Sequence, residues 1–446
     1  MPSLIPAGRR FYLRTFGCQM NRHDSERIAG MLKARGWRPA RNEEDADLIL
    51  LNTCSVRRHA EERVLGRLAR YRREKEKRPR LAVGVLGCMA QIRGETLREQ
   101  FPELDLILGP GSFGRLPEEA EAVLAGAGPR LAAGFDPPDA FFRGLCLREN
   151  SLCGWVTVMR GCDNFCSYCV VPFARGREVS RSPDEIVEEI RTLGEGGYRE
   201  VTLLGQNVNS YRGIDPAGAA VTFPGLLRRV NAVPGIERIR FLTSHPKDIF
   251  PSLIEAIGEL DKVCESLHFP AQSGSDAILE KMNRGYTRDE YLAKARRLKE
   301  AVPGISLASD FIVGFPGETG DDFSRTLDLH REVRFDRIFA FAYSPRPRTA
   351  AAGFPDDVPP EVKASRLQEL FALQRTISLE KNRELAGSAV EVLVEGRNRR
   401  YPDRGEGRTR GGQMVFFPWE EGMEGRMIKV LIDRVTDLSL FGRAIE

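Results

Sequence analysis

Cys18, Cys54 and Cys88 each stand where a short apolar run ends, 36 and then 34 residues apart, and this regularity constrains the fold more than any other feature of the chain. The runs at 11–16, 46–51, 81–86 and 104–108 are apolar on both faces, as strands covered on two sides are. Helical patterns fill 22–36, 56–77 and 89–100, the second with an apolar stripe at Val64, Leu65, Leu68 and Tyr71. The alternation predicts an α/β fold: a small parallel sheet with helices on both sides. One βα repeat separates each cysteine from the next, so the three thiols belong on the carboxyl edge of the sheet, where ligands usually sit. Cysteine often fills strand ends as a small apolar residue. Three in register at one edge point instead to a three-thiolate metal centre, helped by helix amino ends. Gln19, Asn21, Asn52 and Ser55 flank the thiols, either to bond sulfur or to cap helices.

A second trio is local. Cys162, Cys166 and Cys169 form C-x3-C-x2-C, enough for three corners of a four-iron cluster with one iron left open to a small molecule. A structural zinc wants four ligands, and no His or Cys follows Cys169 until His245. The ferredoxin pattern has a shorter first gap and Cys-Pro at its end, whereas Cys169 leads into Val170-Val171-Pro172. The spacing resembles the radical S-adenosylmethionine (SAM) superfamily, in which the open iron binds the amino and carboxylate groups of SAM. Nine cysteines, an odd number, suit reduced thiols rather than a disulfide framework. No apolar stretch approaches the roughly 18 residues of a membrane span, and the start carries no leader-like run, so a cytoplasmic chain without membrane contact is expected. The net charge of +4 is too small to diagnose a nucleic-acid partner, and its distribution matters more.

At 446 residues two or three domains are expected: 1–128, a linker at 129–147, 148–380 and 381–446. In the second, strands at 155–159, 201–204, 236–242, 267–269, 305–313 and 337–343 alternate with helices at 183–195, 223–232, 247–258, 275–282, 288–301 and 319–332. Six βα units make a partial (β/α)6 barrel, with the Cys162 loop after its first strand, at the edge where barrel chemistry gathers. Later strand ends carry groups suited to SAM: Gly205, Gln206 and Asn207; Gln272 and Ser273; and Asp310. Glycine there permits close backbone approach, although it also makes plain turns. Arg160, Arg175, Arg177 and Arg181 surround the cysteine loop, either to contact phosphates of a nucleic acid or to balance the cluster and the SAM carboxylate. Phe165, Tyr168 and Phe173 either shield the site or pack ordinarily.

The tail starts with an amphipathic helix at 361–383, apolar at Leu367, Leu370, Leu373 and Ile377. Strands follow at 388–395, 414–417, 427–435 and 438–444, a small antiparallel five-stranded barrel if one more strand hides in the loop region. That region, 397–410, holds six Arg against two acids. Arg397, Arg399, Arg400, Arg408 and Arg410, beside Tyr401, Phe416 and Phe417, suit backbone neutralisation and base stacking on RNA; a solvated charge run is the plainer alternative.

The stretch Arg160-Gly161-Cys162-Asp163-Asn164-Phe165-Cys166-Ser167-Tyr168-Cys169 and then Arg175-Gly176-Arg177-Glu178-Val179-Ser180-Arg181 closely resembles the radical SAM tRNA methylthiotransferases of the MiaB type. The likeness continues through Thr243-Ser244-His245-Pro246, Met282-Asn283-Arg284-Gly285-Tyr286-Thr287 and Phe311-Ile312-Val313-Gly314-Phe315-Pro316-Gly317-Glu318-Thr319, and spans nearly the whole chain. It implies an amino-terminal methylthiotransferase domain, a radical SAM partial barrel and a carboxyl-terminal TRAM domain for RNA. It implies two 4Fe–4S clusters, one on Cys162, Cys166 and Cys169 for SAM and an auxiliary one on Cys18, Cys54 and Cys88. Cys146, Cys153 and Cys264 match neither set. The implied reaction places a methylthio group on N6-isopentenyladenosine beside the anticodon, with the isopentenylated tRNA anticodon stem-loop and a small-protein electron donor as partners of a monomer. Arg348 departs from the family, which usually has Gly there. Three rivals share part of the pattern: a methylthiotransferase for an aspartate of a ribosomal protein, one for threonylcarbamoyl-adenosine in tRNA, and a non-catalytic iron–sulfur RNA-binding protein.

Overall fold

A computed structural model of the chain describes residues 8–55, 58–135, 146–148 and 151–445. The first domain is built on strands β1 (Arg10–Phe16), β2 (Arg38–Pro39), β3 (Leu48–Thr53), β4 (Ala82–Gly87), β5 (Leu106–Leu108) and β6 (Arg130–Ala132), in the order β2-β1-β3-β4-β5-β6 and all parallel. Every residue of β3 and β4 is buried, because helices α1 (Gln19–Ala34), α2 (Arg58–Lys77), α3 (Cys88–Gln100) and α4 (Leu116–Leu124) cover the two faces. Strand β6 falls inside the stretch expected as a linker and belongs to this sheet. Phe16, Thr53 and Gly87 are register partners across three neighbouring strands. Cys54 and Cys88 therefore follow at once on their strands, and Cys18 one residue later.

The second domain carries six parallel strands in two halves: β7 (Cys153–Thr157), β10 (Glu200–Leu204) and β13 (Arg238–Phe241), then β14 (Ser266–His268), β15 (Ser306–Val313) and β16 (Arg337–Ala342). One isolated bridge, Ile239 to Val263, joins the halves, giving the expected partial barrel. Helices α5 (Val171–Arg175), α6 (Pro183–Glu195), α7 (Phe223–Asn231), α8 (Pro251–Glu259), α9 (Asp276–Lys281), α10 (Arg288–Ala301) and α11 (Gly320–Val333) lie between strands, and α12 (Pro360–Arg383) leads out. Val156, Leu203, Ile239, Leu267 and Phe311 join one large core with the inner faces of α6 to α12. Two short strands, β8 (Met159–Arg160) and β9 (Val179–Ser180), pair antiparallel and close the neck of the cysteine loop, and β11 (Arg212–Ile214) and β12 (Ala220–Thr222) form a side hairpin.

The tail is a closed barrel of β17 (Ala389–Arg397), β18 (Arg404–Thr409), β19 (Met414–Pro418), β20 (Met427–Val435) and β21 (Ser439–Ile445), ordered β17-β18-β19-β21-β20. The hidden fifth strand is β18, inside the Arg-rich run. All neighbours are antiparallel except β19 and β21. The β18–β19 hairpin is seated on the amino ends of the second domain's strands. Arg238, fully buried, donates to the Arg408 carbonyl at 2.7 Å, Arg240 to the carbonyls of Thr409 and Arg410 at 2.7 Å each, and Arg337 to that of Gly412 at 2.9 Å. Arg410 returns the contact to Glu265 at 2.7 Å. These partners come from β13, β16 and the lead into β14, so the hairpin spans the seam between the two half-sheets.

Candidate active site

The first trio is assembled by register. Cys18 occupies the N-cap of α1 and Cys88 opens α3, so two of the three sulfurs sit at helix amino ends; burial raises the Cys88 thiol pKa. Asn21 accepts from Cys18 Sγ at 3.3 Å and donates to the Thr53 carbonyl at 3.2 Å, while Asn52 donates to Ser25 at 2.9 Å. These buried amides lock α1 to the strand that carries Cys54. No side chain fits at Gly17, where a Cβ would lie 2.9 Å from the Cβ of Cys54.

The second trio is held by its own loop. Gly161 has φ +77°, and a Cβ there would meet the Arg177 carbonyl oxygen at 2.0 Å. Asp163 accepts from Arg177 Nε at 2.7 Å and from the Glu178 N–H at 3.1 Å, and Glu178 accepts from Ser210 at 2.9 Å. The Gly161 N–H donates to Gln206 Oε1. Burial pushes the Cys162 thiol up to about 11 and the Cys169 thiol up to about 12, so at neutral pH they stay protonated unless a metal displaces the proton. Among the described residues no His, Cys, Asp or Glu trio converges on one point as a single ion demands. A four-iron cube takes each thiolate at a different corner, whereas a zinc tetrahedron gathers its ligands on one ion.

A short helix brings the trios together. Cys88 and Ile92 of α3 share a small core with Val170, Phe173 and Ala174, which follow Cys169. Helix α5, about 7.5 Å long, ends at Arg175, whose guanidinium is 4% exposed and donates to Asp24 of α1 at 2.7 Å. Burial works against this charge, but Asp24 and then Cys88 outweigh it and leave the Arg175 pKa raised. Arg175, expected to meet RNA phosphates, is thus enclosed between the two domains. Arg181 is likewise committed, to Glu185 and Glu189.

The remaining expected residues divide. Asn207 donates to Asp248 at 2.8 Å and leaves its buried Oδ1 without a protein hydrogen-bond partner. A Cβ on Gly205 would lie 2.6 Å from Met159, so only Gly fits there. Asp310 pairs with His268 at 3.2 Å. Gln272 is buried with φ +70°, and the Ser273 hydroxyl, buried near Thr326 at 3.4 Å, accepts from the Ser275 N–H at 3.2 Å, holding the turn. In the tail, Arg408 pairs with Glu395 at 2.9 Å while remaining exposed; Arg410 is turned to Glu265 of the second domain and Phe417 lies in the barrel core, so these last two face protein rather than the RNA expected for them. Arg397, Arg399 and Arg400 are exposed. Arg404, of the same run, lies over Tyr401 at 5.5 Å; sequence reasoning missed Arg434, which lies over the Phe441 ring at 3.8 Å, and Phe441, on which Phe416 stacks at 5.4 Å. It also gave no role to His245, whose Nε2 is 3.9 Å from Cys166 Sγ, or to Arg284, 3.4 Å from the same sulfur. Burial, then Arg284, Lys247 and Lys294, hold the His245 pKa down at about 2, leaving a neutral ring beside the sulfur.

Three family models match the chain: Uncharacterized protein family UPF0004 over residues 10–109, the Radical SAM superfamily over 156–330 and the TRAM domain over 383–445. The chain is 46% identical over 445 residues to a tRNA-2-methylthio-N(6)-dimethylallyladenosine synthase of Moorella thermoacetica, covering 99% of this chain and 100% of that one. It is 48% identical over 434 residues to a protein of the same name from Geotalea uraniireducens, covering 97% and 98%. Among solved structures it shares the fold of the radical S-adenosylmethionine methyltransferase TsrM from Kitasatospora setae, with a TM-score of 0.55 at 16% identity over 77% of this chain and 74% of that one.

Proposed function

The chain belongs to the tRNA-2-methylthio-N(6)-dimethylallyladenosine synthase family of radical SAM enzymes, and from that premise we infer that it converts N6-isopentenyladenosine in tRNA to the 2-methylthio derivative. The observation that carries the reading is the pair of cysteine trios, one from three strand ends and one from a single loop, on either side of α5. Cys162, Cys166 and Cys169 would hold one 4Fe–4S cluster and Cys18, Cys54 and Cys88 the other. When bound, these groups supply one-electron cleavage of SAM and a place for the sulfur that is transferred, chemistry the side chains cannot provide.

The chain's own residues position and exclude. Asp163, Glu178 and Gln206 fix the cysteine loop, and the unpartnered Oδ1 of Asn207 offers an acceptor to the SAM ammonium. Gly205 gives SAM a close approach to backbone, and Gln272, Ser273 and Asp310 line the next strand ends. Tyr168 packs edge-on against Phe315, ring centroids 6.4 Å apart, and helps keep water from the loop, while Phe165, edge-on to Phe173 at the same separation, stays exposed. Arg177, Arg397, Arg399 and Arg400, joined by Arg404 and Arg434, neutralise tRNA phosphates while Tyr401 and Phe441 stack on bases. The same reading gives a monomer served in the cytoplasm by a small-protein electron donor; among the described residues no helix is long and apolar enough to cross a membrane.

The test is anaerobic reconstitution with iron and sulfide, then reductant, SAM and isopentenylated tRNA. A gain of one methylthio group on the modified adenosine, seen by mass analysis of digested tRNA, supports the assignment. No gain there, with modification of a ribosomal-protein aspartate in a parallel reaction, overturns it.

A further inference from the structure

Arg284 follows Asn283, whose φ of +55° turns the chain inward after α9. The turn is fastened to the cysteine loop twice: Asn283 Nδ2 donates to the Phe165 carbonyl at 3.1 Å, and the Ser167 N–H donates to the Met282 carbonyl at 2.9 Å. The guanidinium is 4% exposed. It donates to Cys166 Sγ at 3.4 Å, to the hydroxyls of Tyr168 and Tyr286 at 3.3 and 3.0 Å, and to the Pro270 carbonyl at 2.9 Å. A guanidinium stays charged at any working pH, and burying one without a counter-charge costs several kcal/mol. Buried Arg175 and Arg238 meet that cost with a carboxylate, Asp24 at 2.7 Å and Glu391 at 2.8 Å, and so does the half-buried Arg240 with Glu200 at 2.8 Å. Arg284 has none within ion-pair distance among the described residues. Of the groups it touches, the one that becomes an anion in the working enzyme is the sulfur of Cys166, once iron has displaced its proton.

We propose that Arg284 is the counter-ion of the cluster corner held by Cys166, a positioning residue that raises the reduction potential of that centre. The inference rests on the assignment of Cys162, Cys166 and Cys169 as cluster ligands. Accepting an electron makes the centre more negative, so a fixed positive charge hydrogen-bonded to its sulfur stabilises the reduced form more than the oxidised one.

The experiment uses the full chain with Cys18, Cys54 and Cys88 replaced by Ala, so that one centre reports, reconstituted anaerobically and titrated potentiometrically with detection by electron paramagnetic resonance. The parent should bind about four irons. Arg284→Gln should still take up iron but show about a tenfold lower ratio of reduced to oxidised centre at a fixed solution potential, equivalent to about 59 mV for one electron. Arg284→Lys, which keeps the charge, and Tyr286→Phe, which removes a phenol but not the charge, should stay at the parent value. An Arg284→Gln centre with the parent's potential overturns the proposal. If that variant fails to fold, Arg284→Lys decides, because a lowered potential with the charge retained overturns it as well. A parent that takes up no iron sinks the cluster assignment instead.

Discussion

The two cysteine trios solve one chemical problem by opposite means. Cys162, Cys166 and Cys169 lie in a single loop whose neck is closed by β8 and β9, so little chain entropy opposes their meeting. Cys18, Cys54 and Cys88 meet only because Phe16, Thr53 and Gly87 are in register. The local trio is set by a few neighbouring contacts. The distributed trio is a readout of how well an entire sheet has formed, so its iron should fall whenever that sheet is disturbed.

Four substitutions would break or sharpen this contrast. Cys166→Ala should have the largest effect: no 5′-deoxyadenosine from SAM, and a loss of about four irons per chain, while the auxiliary iron stays. Loss of both iron sets would show that the trios are not separate units. Asp24→Asn strands the buried Arg175 charge between the domains and should cost roughly 3–5 kcal/mol, measured by denaturant unfolding; an unchanged unfolding midpoint would mean that the α1–α5 contact carries no weight. Gly87→Ala should cost on the order of 1–3 kcal/mol, because φ is +93° and a Cβ would stand 2.5 Å from the Thr53 carbonyl oxygen. Here the auxiliary iron should drop while SAM cleavage persists, and equal loss at both centres would refute the distributed-assembly account. The smallest effect belongs to Arg348→Gly. Arg348 sits at φ +69°, a left-handed conformation that costs a side-chain-bearing residue roughly 1–2 kcal/mol. The glycine usual in the family should recover about 1 kcal/mol in thermal unfolding without altering either iron count.

What the sequence disclosed follows from range. The C-x3-C-x2-C spacing, the βα alternation and the six barrel strands are patterns of near neighbours, and each emerged with ends shifted by a few residues. Strand β18 did not, because glycines make its sequence look like a loop. The structure shows why glycine is needed: a Cβ on Gly405 would lie 2.5 Å from the Phe417 ring and one on Gly407 2.2 Å from the Leu393 carbonyl oxygen. Phe416 and Phe417 looked equivalent until strand alternation sent one outward and the other into the core. Arg175 and Arg410 looked like nucleic-acid contacts because Asp24 and Glu265, their partners, lie 151 and 145 residues away. Charge is visible in a sequence, whereas what neutralises it is a property of the fold.

The hairpin between β18 and β19 makes the tail hard to treat as an accessory. Its backbone carbonyls take up arginines from both half-sheets across a seam that otherwise has one bridging pair. Shortening the chain to remove the barrel proposed to grip tRNA would therefore also withdraw the clasp from the catalytic frame, and lost turnover in such a truncated enzyme would report a sprung scaffold as much as a missing hold on substrate.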